Sequence, residues 1–212
     1  MTITSSAVRS AWRVGFLAAA LLALAACTTR PPPLASRDAA RCLAELDRLG
    51  VRYQAATLAP GTPPACRVEA PVEVVAATIP FNQPAIASCG FILQFDRFER
   101  EALHPLAQRY FGEDVKTILH FGAYSCRTTS TGRESEHARG LALDVAGFEL
   151  ADGRKVLVKE AWSRRDRDGR FLHAVAQMAC RYFNEVLTPD SDSDHANHIH
   201  LDLGPYKLCV RR

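Results

Sequence analysis

No two cysteines in this 212-residue chain are spaced as CxxC, although there are seven of them. A cysteine-based metal knuckle is therefore disfavoured. Neither sign of charge dominates: 26 Lys and Arg stand against 23 Asp and Glu, a net charge of +3. A nucleic-acid partner would need a strong basic patch, so this balance argues against one. There is no internal repeat. No apolar run is long enough to span a bilayer: the longest, Val14 to Ala26, is too short for a mature transmembrane helix. What is present is ordinary globular composition, 48% hydrophobic and 23% charged, enough for one domain with a real core.

Arg9 and Arg13 precede that uncharged apolar run, which is the build of a secretory signal. The run ends in "LAAC", Leu24 to Cys27. A leucine, two small residues and a cysteine form the processing signal of bacterial lipoproteins. Residues 1–26 are then a signal peptide, and Cys27 becomes the lipidated first residue. Residues 27–37, with "TRPPPLAS", form a stiff tether, and 38–212 form the domain. Removing Arg9 and Arg13 leaves a near-neutral body. Thr28 follows the cysteine where an aspartate would retain the protein at the inner membrane. The expected location is thus a lipid anchor in the cell envelope, facing the periplasm, on the outer membrane of a two-membrane cell.

Six cysteines remain: Cys42, Cys66, Cys89, Cys126, Cys180 and Cys209. An even set in an exported chain predicts disulfides. Six cysteines allow fifteen pairings. The expected order is sequential: Cys42–Cys66, Cys89–Cys126 and Cys180–Cys209, each bridge contributing roughly 3 kcal/mol.

The chain opens with a helix capped by Ser36, carrying Cys42, Leu43, Leu46 and Leu49 on its apolar face and ending at Gly50. Short strands and turns follow through Pro71, Pro80 and Pro84. Ser88 to Phe111 reads as a helix, broken or kinked at Pro105. "VKTILHFGAYSC", Val115 to Cys126, and "LALDVAGFEL", Leu141 to Leu150, have strand chemistry. Asp152-Gly153 turns the second of these into "KVLVKE". Phe171 to Leu187 reads as a helix, and "HIHLDL" as a last strand. The order predicts an α+β fold: a small antiparallel sheet flanked by helices and stapled by disulfides.

Two segments carry chemistry. "SEHARGLALD" holds His137 and Asp144, with small residues between them. In "HANHIHLDLG", His198, His200 and Asp202 alternate, so in a strand they share one face, while Ile199, Leu201 and Leu203 point to the core. Adjacent strands bearing Asp144 and His200 would gather His137, Asp144 and His200 around one ion. Two histidines, one carboxylate and an open fourth position make a catalytic zinc arrangement on the sheet. Asp202 is a candidate partner for a ligating histidine. His104, His120 and His173 lie in no motif.

"SEHARGLALD" resembles the SxHxxGxAxD motif of the zinc peptidases that include D-alanyl-D-alanine carboxypeptidases, lysostaphin-type endopeptidases and the hedgehog fold. "HIH" resembles their second, HxH element. With "CLAELDRLGVRY", "YSCR" and "FLHAVAQMACRYFNEVLTPD", the pattern resembles the bacterial extensin-like C-terminal domain family over roughly Ala39 to Arg212. The resemblance implies Zn²⁺ on His137, Asp144 and His200. Compartment and site together point to peptidoglycan peptides as substrate, cut at a crosslink or at a terminal residue. The resemblance also implies a role for Arg127 near the substrate carbonyl or carboxylate, and Ser135 as a ligand-orienting or substrate-touching residue. There is one departure. Many of the carboxypeptidases place a glutamate base three residues before the last ligand, where this chain has Asn197. His198 is the expected base; His195, or an acid elsewhere, is the alternative. The competing reading is a cell-wall-binding module without catalysis.

The anchor is tested by mass spectrometry of membrane-extracted protein, which should find diacylglyceryl-modified Cys27 as the first residue. An intact Met1, or soluble protein cut elsewhere, would refute it.

Overall fold

A computed structural model describes Thr2, residues 34–129 and residues 132–209, with side chains described from Asp38 onward. Cys27, its tether and the signal segment lie outside the described residues. Among the described residues no helix is long and apolar enough to cross a membrane.

The fold is α+β, as its sequence order predicts. Helix α1 (Leu34–Leu49) begins before Ser36, so Ser36 lies inside the helix rather than capping it. Strands β1 (Arg52–Ala55), β2 (Pro71–Ala76) and β3 (Pro80–Ser88) follow. Ser88 caps α2 (Cys89–Phe98), its hydroxyl accepting from the Phe91 N–H at 3.1 Å. The helix expected to run on to Phe111 does continue, but through a π-helical stretch, Glu99–Leu103, before α3 (His104–Phe111). Pro105 has no N–H and its ring crowds the carbonyl four residues back, so the wider turn just before it is the accommodation. Gly112, in the left-handed region at φ 72°, ends α3.

Strand β4 (Val115–His120) stops earlier than Cys126, and β5 is Ala142–Leu150. The Asp152-Gly153 hairpin forms as expected and leads into β6 (Lys155–Leu157). "KVLVKE" is not all strand: Val158–Ala161 is a short helix, α4. Helix α5 (Arg167–Ala179) starts earlier than Phe171, capped by Asp166, which accepts from the Gly169 N–H. It also ends well before Leu187. Glu185–Leu187 is strand β7, taken up by pairing with β8 (Ile199–Asp202), and Leu208–Cys209 is β9. Sheet pairing there overrides a helix-like periodicity.

The strands form one path, β1-β2-β3-β4-β5-β8-β7-β9, with β6 on β5. Most pairings are antiparallel, as expected; β3–β4 and β7–β9 are parallel. The core is aromatic. Phe91, Phe95 and Phe98 of α2 meet Phe183, and Phe148 of β5 meets Phe171 of α5 edge-on at 5.5 Å. Each such fully buried ring is worth about 1.5–3 kcal/mol. Leu143 and Val145 of β5, with Ile199 and Leu201 of β8, join this core. The alternate residues Asp144, His198 and His200 therefore face away from it.

All six domain cysteines are bridged, but two pairings differ from the sequential expectation: the bonds are Cys42–Cys89, Cys66–Cys126 and Cys180–Cys209. Only the third was foreseen. Helix α1 packs on α2, which brings Cys42 to Cys89. The 3-10 turn Pro64–Cys66 lies beside Tyr124, whose hydroxyl donates to the Cys66 carbonyl at 3.2 Å, and so meets Cys126.

One carboxyl is buried for structural ends. Glu99 Oε2 accepts from the Thr78 and Ile79 amides at 2.7 and 3.0 Å, holding the β2–β3 turn, while Oε1 has no partner. Burial, opposed by those amides and aided by Asp96, pushes Glu99 well above the usual carboxylate range. A raised folded pKa means that stability is greatest below the ordinary glutamate value and falls as pH rises through the folded value. Glu99→Gln keeps the acceptor and removes the titration. Urea titrations from pH 4 to 8 should show a flatter stability profile for the variant and higher stability at pH 7. An unchanged profile would refute the assignment.

Candidate metal centre

Four local devices aim the site. Ser135 caps the 3-10 turn Glu136–Arg139, its Oγ accepting from the His137 N–H at 3.3 Å, so its hydroxyl serves the loop itself. Gly140 closes the turn in the left-handed region at φ 63°. The Asp144 backbone is clamped by the crossover after β4, with Phe121 N–H donating to the Asp144 carbonyl and Asp144 N–H to the Gly122 carbonyl. Finally, β5 and β8 set Asp144 directly opposite His200.

The three expected ligands converge. Asp144 Oδ1 lies 3.1 Å from His137 Nε2 and 2.9 Å from His200 Nδ1, and the two nitrogens are 3.2 Å apart. A zinc ion held tetrahedrally at about 2.0–2.1 Å separates its ligand atoms by about 3.3 Å. All three edges fit that size. The far nitrogens are also held: His137 Nδ1 lies 2.5 Å from the Ala123 carbonyl, and His200 Nε2 lies 3.1 Å from Asp202 Oδ2. Such outer bonds fix the tautomer and aim the free nitrogen inward. Asp202 thus takes the supporting place expected for it. It is itself held by the Gly204 N–H at 2.7 Å. The donor set, two imidazoles and one carboxylate with an open side, suits zinc.

His198 stands just before β8 and outside this trio, with Nε2 3.3 Å from Asp144 Oδ1. Asn197 Oδ1 accepts from His198 Nδ1 at 2.8 Å, which turns Nε2 toward the site. Asn197 therefore orients the neighbouring imidazole. His195 is near as well, its ring 5.0 Å from His198 and 5.6 Å from His200. Its Nδ1 is 2.6 Å from Asp192 Oδ1, and Asp192 also caps the 3-10 turn Ser193–His195. Arg127 Nη2 reaches within 3.9 Å of Asp144 Oδ2, with its side chain 57% exposed. His104, His120 and His173 are engaged elsewhere, with Asp114, the Gln83 carbonyl and the Trp162 carbonyl.

The site opens into a cleft of about 570 Å³, lined among others by Arg127, Arg133, Glu185, Asp192, His195 and Tyr206. Burial pushes the Asp144 carboxyl up, but hydrogen bonds from His137, His198 and His200 outweigh it and hold it far below the usual range. Burial opposes charge on His200, yet Asp144 and Asp202 push it up to about 9. Burial lowers His195 against the pull of Asp192. Glu136 and Glu185, near Asp202, are raised by burial and by that neighbouring charge.

Residue spacing brings out His137, Asp144, His198 and His200, and the resemblance adds Arg127 and Ser135; all six lie about one cleft. Arg133, Tyr206, Glu185 and Asp192 were missed. Only Asp192 left a local signal, the Asp-x-x-His spacing of a capped turn. Arg133 and Tyr206 stand close to the two motifs but meet only in the fold, and Glu185 is brought in by the pairing of β7 with β8.

The chain matches the family described as Extensin-like protein C-terminus over residues 40–210, and it belongs to that family. No curated protein and no solved structure matches it.

The glycine of "SEHARG" has a double reason. Besides the left-handed φ, a Cβ at Gly140 would sit 2.8 Å from Val68 Cγ1 and 2.9 Å from the Ser88 backbone nitrogen. That nitrogen donates to the Gly140 carbonyl at 2.8 Å, docking the His137 turn on the start of α2. Gly140→Ala should cost at least about 1–2 kcal/mol from backbone handedness alone, measured by urea unfolding. Wild-type stability would show that the turn is not held this way.

Proposed function

We propose that this member of the extensin-like C-terminal family is a zinc-dependent peptidase of peptidoglycan peptides, anchored by lipid on Cys27 and facing the periplasm. The observation that carries the reading is the His137–Asp144–His200 triangle, sized for zinc and braced by Ala123 and Asp202. The likeness of "SEHARGLALD" and "HIH" to the zinc peptidases supports it, and that relationship is part of the proposal. A lipoprotein in the periplasm meets crosslinked stem peptides, which gives the substrate class.

Bound zinc would supply Lewis acidity for the scissile carbonyl and a lowered pKa for water. The protein supplies the rest. His198, its Nδ1 occupied by Asn197, presents Nε2 to take the proton of the attacking water. As the water oxygen bonds to the carbonyl carbon, the Arg127 guanidinium stands close enough to Asp144 to meet the developing oxyanion. His198 then gives the proton to the leaving nitrogen as the C–N bond breaks. Products are a carboxylic acid and an amine, and the imidazole returns neutral. Asn197 in place of glutamate is the feature that favours a binding module; its hydrogen bond to His198 supports the catalytic reading instead.

Two variants separate the roles. His200→Ala should lose both zinc, by elemental analysis, and turnover on crosslinked muropeptides. His198→Ala should keep zinc and lose rate by about 10² to 10⁴. Equal zinc loss from both would make His198 a ligand. A zinc-loaded wild type inert on every muropeptide would favour the binding module.

A further inference from the structure

Between Cys126 and the His137 turn, Arg127–Thr129 and Arg133–Ser135 pair as a narrow antiparallel ribbon. Thr128 and Glu134 bridge, Thr129 N–H donates to the Arg133 carbonyl at 2.7 Å, and Ser135 N–H lies 3.4 Å from the Arg127 carbonyl. Directly opposed residues share a face, and faces alternate along each strand. Arg127, Ser135, Thr129 and Arg133 therefore lie on one side. Ser135 is buried against the His137 turn, and Arg127 and Arg133 line the same cleft as the His137–Asp144–His200 triangle. The ribbon aims two guanidiniums into the cleft, one beside Asp144 and one farther out.

Arg133 is held in place from outside the ribbon. Its guanidinium lies over the Tyr206 ring, 4.9 Å from the centroid. Among the described residues it makes no hydrogen bond or ion pair, although Glu185 feels its charge. A guanidinium stacked by its face keeps its N–H edges open, and those edges match a carboxylate in bidentate fashion. Diagonal positions on such a ribbon are about 7–8 Å apart. That is the reach of about two residues of extended peptide at about 3.4 Å each.

We propose that Arg133, stacked on Tyr206, binds a free substrate carboxylate about two residues from the scissile bond, while Arg127 attends the carbonyl. This rests on the peptidase reading of the same site and narrows it. The carboxylate is either the C-terminal group of an uncrosslinked stem peptide or the free carboxylate of a diamino acid at a crosslink. The chemistry recognised is the same.

The test is calorimetric binding of four peptides to zinc-loaded protein, read beside turnover: a stem peptide as acid and as C-terminal amide, and a crosslinked dimer with its diamino-acid carboxylate free and amidated. Wild type should bind one or both acids at least tenfold more tightly than the matching amides, and the pair that shows the difference names the source. Arg133→Ala should bind acid and amide alike, Arg133→Lys should keep part of the preference, and Tyr206→Leu should weaken it. Zinc content and melting temperature are matched first, and if Arg133→Ala fails to fold, Arg133→Lys and Tyr206→Leu carry the test. Indifference of the wild type to amidation, an equal loss of acid and amide in Arg133→Ala, or no binding of any peptide would overturn the proposal. Carboxylate-dependent binding without product would uphold it and sink the peptidase reading, and hydrolysis indifferent to amidation would do the reverse.

Discussion

The register between β5 and β8 is the constraint on which the site depends. Asp144 and His200 are opposed partners in an antiparallel pair, which fixes their side chains close together on one face. The same pairing sends Leu143, Val145, Ile199 and Leu201 to the other face, into the aromatic core. A slip of one residue would expose four apolar side chains and bury the ligands in the core. The hydrophobic effect thus enforces the geometry of the polar centre, although it acts on different residues. The third member of the triangle, His137, comes from a turn rather than a strand, and Gly140, Ser135 and Ser88 bring it up to the pair.

Disulfides extend that rigidity to the rim. Cys126 is bonded to Cys66 immediately before Arg127, and Ser135 is fixed by its cap immediately after the ribbon. A guanidinium on a long side chain is useful in a transition state only if its base is stationary. Here both ends of the ribbon are tied, one covalently and one to the metal turn. Cys180–Cys209 does similar work for the C-terminal segment, tying the end of α5 to β9, a few residues beyond Tyr206.

What could be read from the chain divides along physical lines. Strand faces rest on a period of two, and in the last site strand that period placed His200, Asp202 and the core-facing Ile199 and Leu201 on the correct sides. Element ends were less legible. The "FLHAVAQMACRYFNEVL" stretch keeps helix-like spacing past Ala179, yet β8 had an unpaired edge and took Glu185–Leu187 as a strand. Disulfide partners were illegible for the same reason: they follow which helix packs on which, and α1 against α2 is a tertiary fact. Arg133 and Tyr206 meet across more than seventy residues, so no local pattern marks them. Asn197 was visible only as a departure, and its use as an acceptor for His198 required coordinates.

The centre is expensive to the fold that carries it. A buried carboxylate, three imidazoles against it and a further ring of carboxyls at Glu136, Glu185 and Asp202 are groups that water would solvate better. Glu136 Oε2 is buried without a hydrogen bond. Packed apolar side chains of the same volume would stabilise the domain more, as they do on the opposite face of the same strands. The arrangement persists because its cost is offset elsewhere, by the phenylalanine core and by three bridges that restrict the unfolded chain. A strand pair that is apolar on one side and densely ionisable on the other, inside a disulfide frame, is a fold whose stability and chemistry have been assigned to opposite faces.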